Sequence, residues 1–412
     1  MSVETLRIDR IAAGGDGVAR ADDGMVVFVP RTAPGDLVRA TVRREKRMGR
    51  GRPLEVLEPG PDRIEPPCPH YVHDRCGGCQ IQHLAYDAQL RAKGQIVHDA
   101  LRRIGGRDTA PPDVRPSAGQ WRYRRKLTLG LRRVGGDLIA GLHPYDDPVG
   151  VFRLRDCPIT DERVLTVWKA VLAARRFLPP DRMLRGAVRL FDHGGASFVL
   201  EGGHAWPKVR DFFDAVAELV ELWWVPEGAR RRLLRQREAP QAGASFVQVN
   251  APVAAALREH VIERARAHAP STLVDAYAGT GDTASPLAIE GIRVTAIELD
   301  REAAARCAER LPEGSRSLTG PVEELLPAAL PADVVILNPP RAGVDARVAA
   351  ALERADSGAR AVLYVSCNPA TLARDLARMP SWRLASVVGF DMFPQTAHVE
   401  TVCELQRAEV PA

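Results

Sequence analysis

The segment LVDAYAGTGDTASPLA, residues 273–288, decides how the second half of this chain is read. It opens as an apolar run, turns at Gly279-x-Gly281 and continues with helical spacing, which reads as strand, tight turn, helix. Glycines there let the backbone approach a ligand at the edge where open α/β sheets bind. A lone G-x-G lacking a third glycine also suits a purely structural turn. The next strand-like run, VTAIELD (294–300), places Glu298 seventeen residues after Gly281, about where an acidic side chain would take the two hydroxyls of a ribose. Together they point to an adenosine-bearing cofactor.

Strands and helices alternate on both sides of this segment: the helical VAAALREHVIERARAH, the helix at 301–311, the strand DVVILNPP and the strand AVLYVS. That alternation specifies βαβ units and a doubly wound, Rossmann-like sheet over 246–412. Two further strand ends carry chemistry. DVVILNPPRAG (333–343) ends in Asn338, Pro339, Pro340 and Arg341, where two prolines fix the backbone and hold Asn338 in a pocket suited to a planar base. VLYVSCNPATLARDL (362–376) puts Cys367 directly after a buried strand, a place for a nucleophile, although a free cysteine there is also a common small core residue. Downstream, DMFPQTAHVETVCEL (391–405) offers Glu400 at the start of a last strand; alone it would read as a solvent-facing residue, beside a thiolate as a proton acceptor.

The chain has 412 residues, 45% of them hydrophobic, enough for two or three globular domains. No run of 18 apolar residues and no leader pattern at the N-terminus is visible, so a cytoplasmic protein without a membrane partner is expected. Residues 1–60 alternate apolar and polar positions in short runs broken by Gly, Asp and Pro, which predicts a small all-β barrel of the OB type. The Pro-rich DRIEPPCPHY (62–71) marks a boundary, and an α+β central domain is expected over 61–245, with a helix from about Tyr86 to Arg103.

Formal net charge is +5, but its distribution says more: residues 31–52 hold eight Lys or Arg against two acids, and WRYRRKLTLGLRR (121–133) adds six more, interleaved with Trp121 and Tyr123. Such stripes fit a phosphate backbone and stacked bases, or a solvated charged face. Of seven cysteines, Cys68, Cys76 and Cys79 fall in a C-x7-C-x2-C pattern with Cys157 far downstream, which is not the paired C-x2-C of a zinc ribbon. Cys307 and Cys403 read as core.

In their order and spacing, FVQVN (246–250), the glycine turn, AIELD, NPPRAG, SCNPATLARDL and HVETV resemble the S-adenosylmethionine-dependent RNA 5-methyluridine methyltransferases. The resemblance extends forward, since residues 1–60 look like the TRAM RNA-binding barrel that some members carry. It implies that Cys367 is the nucleophile and Glu400 the base at carbon 5 of uracil. Gln248, Tyr277, Gly279, Asp282, Glu298 and Asn338 are implied as contacts in the cofactor and base pocket, and Cys68, Cys76, Cys79 and Cys157 as ligands of a [4Fe-4S] cluster. Three positions depart from the family: Asp282 where Asn is common, Pro321 in place of a polar contact, and Asn338 where Asp is usual.

The expected function is methylation of carbon 5 of a uridine in RNA through a covalent cysteine adduct, by a monomer; family analogy leans to ribosomal (23S) RNA, with a transfer RNA uracil-C5 enzyme as the alternative. A cytosine-C5 enzyme is the nearest rival, kept open by Asn338. A radical iron-sulfur enzyme lacks its C-x3-C-x2-C spacing here, and a non-catalytic RNA-binding protein has no need of Cys367 and Glu400.

Overall fold

The computed structural model describes residues 2–191, 194–237 and 249–407. The alternating N-terminal runs form β1 (Ser2–Ile11), β2 (Gly17–Arg20), β3 (Val26–Val29), β4 (Leu37–Arg44) and β5 (Gly49–Glu58), which close into a barrel in the order β1-β2-β3-β5-β4. Period-two patterning sends Leu6, Ile8, Val27, Val29, Val38 and Val42 inward to one apolar core and leaves the arginines of β4 and β5 outside.

Beyond the barrel come α1 (Pro69–Val72), α2 (Tyr86–Arg103) and the short β6 (Val114–Arg115). A six-stranded sheet follows, built from β7 (Lys126–Val134), β8 (Asp137–Gly141), β9 (Met183–Leu190), β10 (Ala196–Glu201), β11 (Leu219–Val225) and β12 (Arg232–Gln236). Its order is β12-β11-β10-β9-β7-β8, with only β10 and β11 parallel. One face is apolar and packs on α3 (Glu162–Ala173) and α4 (Val209–Ala215), where Trp168 meets Phe198 edge to face at 5.6 Å. The other face carries Lys126, Thr128 and Arg185 towards a cavity.

The remaining chain runs α5 (Ala251–Ala267), β13 (Thr272–Ala276), α6 (Ala284–Ile289), β14 (Arg293–Glu298), α7 (Arg301–Arg310) and β15 (Arg316–Thr319). It continues through α8 (Val322–Ala329), β16 (Val334–Leu337), α9 (Ala346–Glu353), β17 (Ala361–Ser366), α10 (Pro369–Ala377), β18 (Trp382–Phe390) and β19 (Glu400–Arg407). The sheet order is β15-β14-β13-β16-β17-β19-β18-β6, parallel from β15 to β17 with β19 antiparallel between β17 and β18. Both faces are covered: Val335, Val362 and Tyr364 point into one core, Ile336, Leu363 and Val365 into the other. This is why the parallel strands read as continuous apolar runs.

Residues 86–115 lie in the stretch expected to be central, yet they pack on this C-terminal sheet. Val97 and Leu101 of α2 share a core with β13, β16 and β17, and β6 pairs with the edge of β18. An apolar helix stripe finds its partner wherever an apolar sheet face is open, and sequence proximity does not set that choice.

Candidate active site

Four strand ends converge on one cavity of about 1270 Å³. At the exit of β13, Tyr277 adopts φ 66°, followed by Gly279 at 58° and Gly281 at 81°. A left-handed tyrosine is rare, and such residues cluster where a ligand must be gripped. Gly281 is required: a Cβ there would sit 2.7 Å from the sulfur of Cys307, a buried residue of α7. At the end of β14, Glu298 accepts the N–H of Gly279 and the N–H of Asp300, both at 2.8 Å. Glu298 lines the cavity, and two accepted N–H groups leave its carboxylate with acceptor capacity to spare. Asp282 lines the same space, with Arg310 donating to it at 2.6 Å.

Asp275, one strand residue before the turn, is 2% exposed, and its Oδ2 finds no partner among the described residues. Burial raises its carboxyl to about 7. The sequence reading passed over it, although an acid inside the run LVDAYAG was a visible signal.

At the exit of β16, Asn338 is exposed to the cavity, held by its backbone N–H to Ala276 O at 3.3 Å, and its side-chain amide makes no hydrogen bond among the described residues. Arg341 follows in the same loop. At the exit of β17, Cys367 is half-buried, and Asn368 caps α10 by accepting from Ala370 N at 3.1 Å. Burial and the Glu400 carboxylate raise the Cys367 thiol, and the Arg341 guanidinium pulls it back. Glu400, where β19 begins, is raised to about 7 by burial, again with Arg341 opposing. Arg341 is therefore the cation shared by the nucleophile and base candidates. Sequence reading quoted it but gave it no role, since its reach depends on the loop's fold.

The loop before Glu400 is clamped from α2. Lys93 and Asp391 form an ion pair with neither side chain exposed, Tyr86 donates to Asp391 at 2.8 Å, and Gln89 accepts from Gln395 N at 2.9 Å. Tyr123 donates to Pro394 O at 3.0 Å from the cysteine-rich side. The same cavity is also lined by the cations Arg124, Lys126 and Arg185. Burial, then the guanidiniums of Arg189 and Arg185, lower the Lys126 ammonium.

Cys68, Cys76, Cys79 and Cys157 are all buried, and Cys68, Cys79 and Cys157 share a small core with Tyr71 and Ile159. Burial pushes the Cys76 thiol up to about 11, with Cys157 and Cys68 adding to it, and raises Cys79 likewise. The expected ligand set is not shown as a metal site: among the described residues no group of three or more His, Cys, Asp or Glu is arranged to hold a metal ion. The donors themselves are four buried thiols, a soft set that suits zinc or an iron-sulfur cluster rather than a hard cation. Gln248 lies outside the described residues. No described helix is long and apolar enough to cross a membrane.

A family model described as tRNA (Uracil-5-)-methyltransferase matches residues 328–408, the span from the end of α8 through Cys367 and Glu400. Over 452 residues the chain is 35% identical to an uncharacterized RNA methyltransferase of Gloeobacter violaceus, covering 98% of this chain and 96% of that relative. It is 32% identical to an uncharacterized RNA methyltransferase of Halalkalibacterium halodurans, covering 98% and 97%. The crystal structure of Pyrococcus abyssi tRNA (uracil-54, C5)-methyltransferase in complex with S-adenosyl-L-homocysteine superposes with a TM-score of 0.69, covering 98% of this chain and 100% of that one at 23% identity, a likeness of fold.

Proposed function

Because this chain belongs to the S-adenosylmethionine-dependent RNA 5-methyluridine methyltransferase family, we propose that it methylates carbon 5 of one uridine through a covalent adduct on Cys367. The observation that carries this is the placing of Cys367, Glu400 and Arg341 in the same cavity as the Gly279–Glu298 turn. When bound, S-adenosylmethionine supplies a methyl group on a sulfonium. Glu298 would accept from its ribose hydroxyls, and Tyr277, Gly279 and Asp282 would border the adenosine and methionine parts.

Carbon 5 of uracil is too weak a nucleophile to take that methyl unaided. The Cys367 thiolate, favoured by Arg341, adds to carbon 6 and leaves an enolate whose carbon 5 accepts the methyl, with departure of the thioether. Glu400 then takes the carbon 5 proton, the ring double bond re-forms, and Cys367 leaves as thiolate. A carboxyl near 7 is matched to that proton transfer at neutral pH. A target base must leave its stack to reach this depth, and Arg124, Lys126 and Arg185 would hold the phosphates beside it.

We propose ribosomal RNA, of the 23S type, as the substrate. Transfer RNA is the second reading, favoured by the full-length fold match to an enzyme described as acting on tRNA. Cys68, Cys76, Cys79 and Cys157 would hold a [4Fe-4S] cluster, with Arg124 beside Cys79 and Cys157; the methyl transfer needs no step through it. Residues 1–60, 61–245 and 246–412 are proposed as barrel, central and catalytic domains, with α2 and β6 of the central stretch packed onto the catalytic sheet. Mapping 5-methyluridine in ribosomal and transfer RNA of a deletion strain tests the reading. Loss at one uridine, restored by wild type but not by Cys367→Ala, supports it; loss of 5-methylcytidine instead overturns the base assignment.

A further inference from the structure

Beneath the loop that carries Arg341 lies a carboxylate that the reaction does not use. Asp375 sits on α10, eight residues after Cys367, with its side chain wholly buried. Its Oδ2 accepts from Val344 N at 2.9 Å and from the Tyr364 hydroxyl at 2.8 Å; its Oδ1 accepts from Arg374 Nε at 3.0 Å, Arg374 Nη2 at 2.8 Å and Arg378 Nη1 at 3.4 Å. Arg374 donates onward to Ala342 O at 2.7 Å, and Thr371 donates to Arg341 O at 3.3 Å. Residues 341, 342 and 344 are thus each tied to the one helix that begins beside Cys367. Gly343 completes the fit: at φ +80° it lies so close that a Cβ would be 2.2 Å from Asp375 Oδ2.

We propose that Asp375 is a positioning residue: with Arg374 and Thr371 it seats the 340–344 loop on α10 and so holds the Arg341 guanidinium at the Cys367 sulfur. A side chain as long as arginine delivers its charge to a chosen atom only if its backbone is fixed. The charged groups facing Cys367 are Glu400 from β19 and Arg341 from this loop, which act in opposite senses on the thiol. Around Asp375 stand Arg374 from its own helix, Arg378 at that helix's C-cap, Tyr364 from β17 and Tyr277 from the β13 exit. Loosening the loop removes the favourable charge and leaves the unfavourable one.

The proposal rests on the reading of Cys367 as nucleophile, but its test needs no methyl transfer. The rate of Cys367 alkylation by iodoacetamide, followed by peptide mass spectrometry on the full chain across pH, reads the thiolate fraction directly. Arg341→Gln should slow alkylation at pH 8 by roughly threefold, the effect of about half a pKa unit. Asp375→Asn and Arg374→Gln should do the same, and Leu376→Ala, which cuts the buried core of the same helix but removes none of the hydrogen bonds to the loop, should not. If Asp375→Asn does not fold, Arg374→Gln, a partly exposed position, carries the test. An unchanged profile in the folded loop variants, or an equal shift in Leu376→Ala, overturns the positioning role. Methylation surviving in Cys367→Ala would instead overturn the nucleophile assignment and leave the alkylation result standing.

Discussion

The Glu298 carboxylate accepts the backbone N–H of Gly279 at 2.8 Å across 19 residues of sequence, locking the end of β14 to the glycine turn after β13. One carboxylate thus shapes the turn and also lines the cavity. Glu298→Gln keeps the shape and loses the charge-assisted acceptor, so affinity for S-adenosylhomocysteine should fall about tenfold, or ~1.4 kcal/mol. Titration calorimetry measures this, and an unchanged affinity would remove Glu298 from the cofactor site.

Asp275 gives a stability prediction with a sign. Folding raises its pKa from 3.8 to about 7, so the folded state binds the proton more tightly, and this group's contribution is most favourable below 3.8 and is lost as pH rises to about 7. The full shift corresponds to ~4 kcal/mol, and relaxation of the surroundings brings the expected effect to about 2 kcal/mol. Asp275→Asn should flatten the decline of denaturation free energy between pH 4 and 7. A parallel, undiminished decline in the variant would show that Asp275 ionises freely.

The four buried thiols make an iron prediction. Protein purified without oxygen should be brown and contain about four irons per chain, and Cys79→Ser should bleach it and lower the thermal stability of the six-stranded sheet region. Colourless protein carrying one zinc per chain is the contrary result.

How much of this was legible in the sequence follows from what each feature depends on. The barrel, the helix Tyr86–Arg103 and the alternating strands and helices rest on local periodicity and turn residues, and these were readable. Cys367 and Glu400 stand out in the sequence because each lies at a strand end within a specific motif, and the structure brings both to one cavity. The docking of α2 was not readable: it rests on pairs such as Lys93 with Asp391, 298 residues apart, which no periodicity encodes. The role of Arg341 is not legible in the sequence, because its charge matters only once the 340–344 loop is seated on α10.

Asn338 tests base choice. An amide can accept from the ring N–H of uracil, or turn round to meet cytosine's ring nitrogen and amino group. Asn338→Asp should keep or modestly raise activity on uridine, by about 1 kcal/mol at most, in matched RNAs with uridine or cytidine at the target. A large loss in the variant, with 5-methylcytidine as the wild-type product, would assign the enzyme to cytosine.

The most direct measurement is denaturing electrophoresis of Glu400→Gln protein incubated with substrate RNA and methyl-labelled S-adenosylmethionine. Without a base at position 400 the carbon 5 proton stays, elimination stalls, and a methylated RNA should remain bonded to Cys367. Wild-type turnover should rise with pH through about 7 as the Glu400 carboxyl ionises. The expected result is a denaturant-resistant, labelled protein–RNA band in Glu400→Gln that is absent from the Glu400→Gln, Cys367→Ala double variant; persistence of that band without Cys367, or normal turnover without Glu400, would contradict the covalent mechanism.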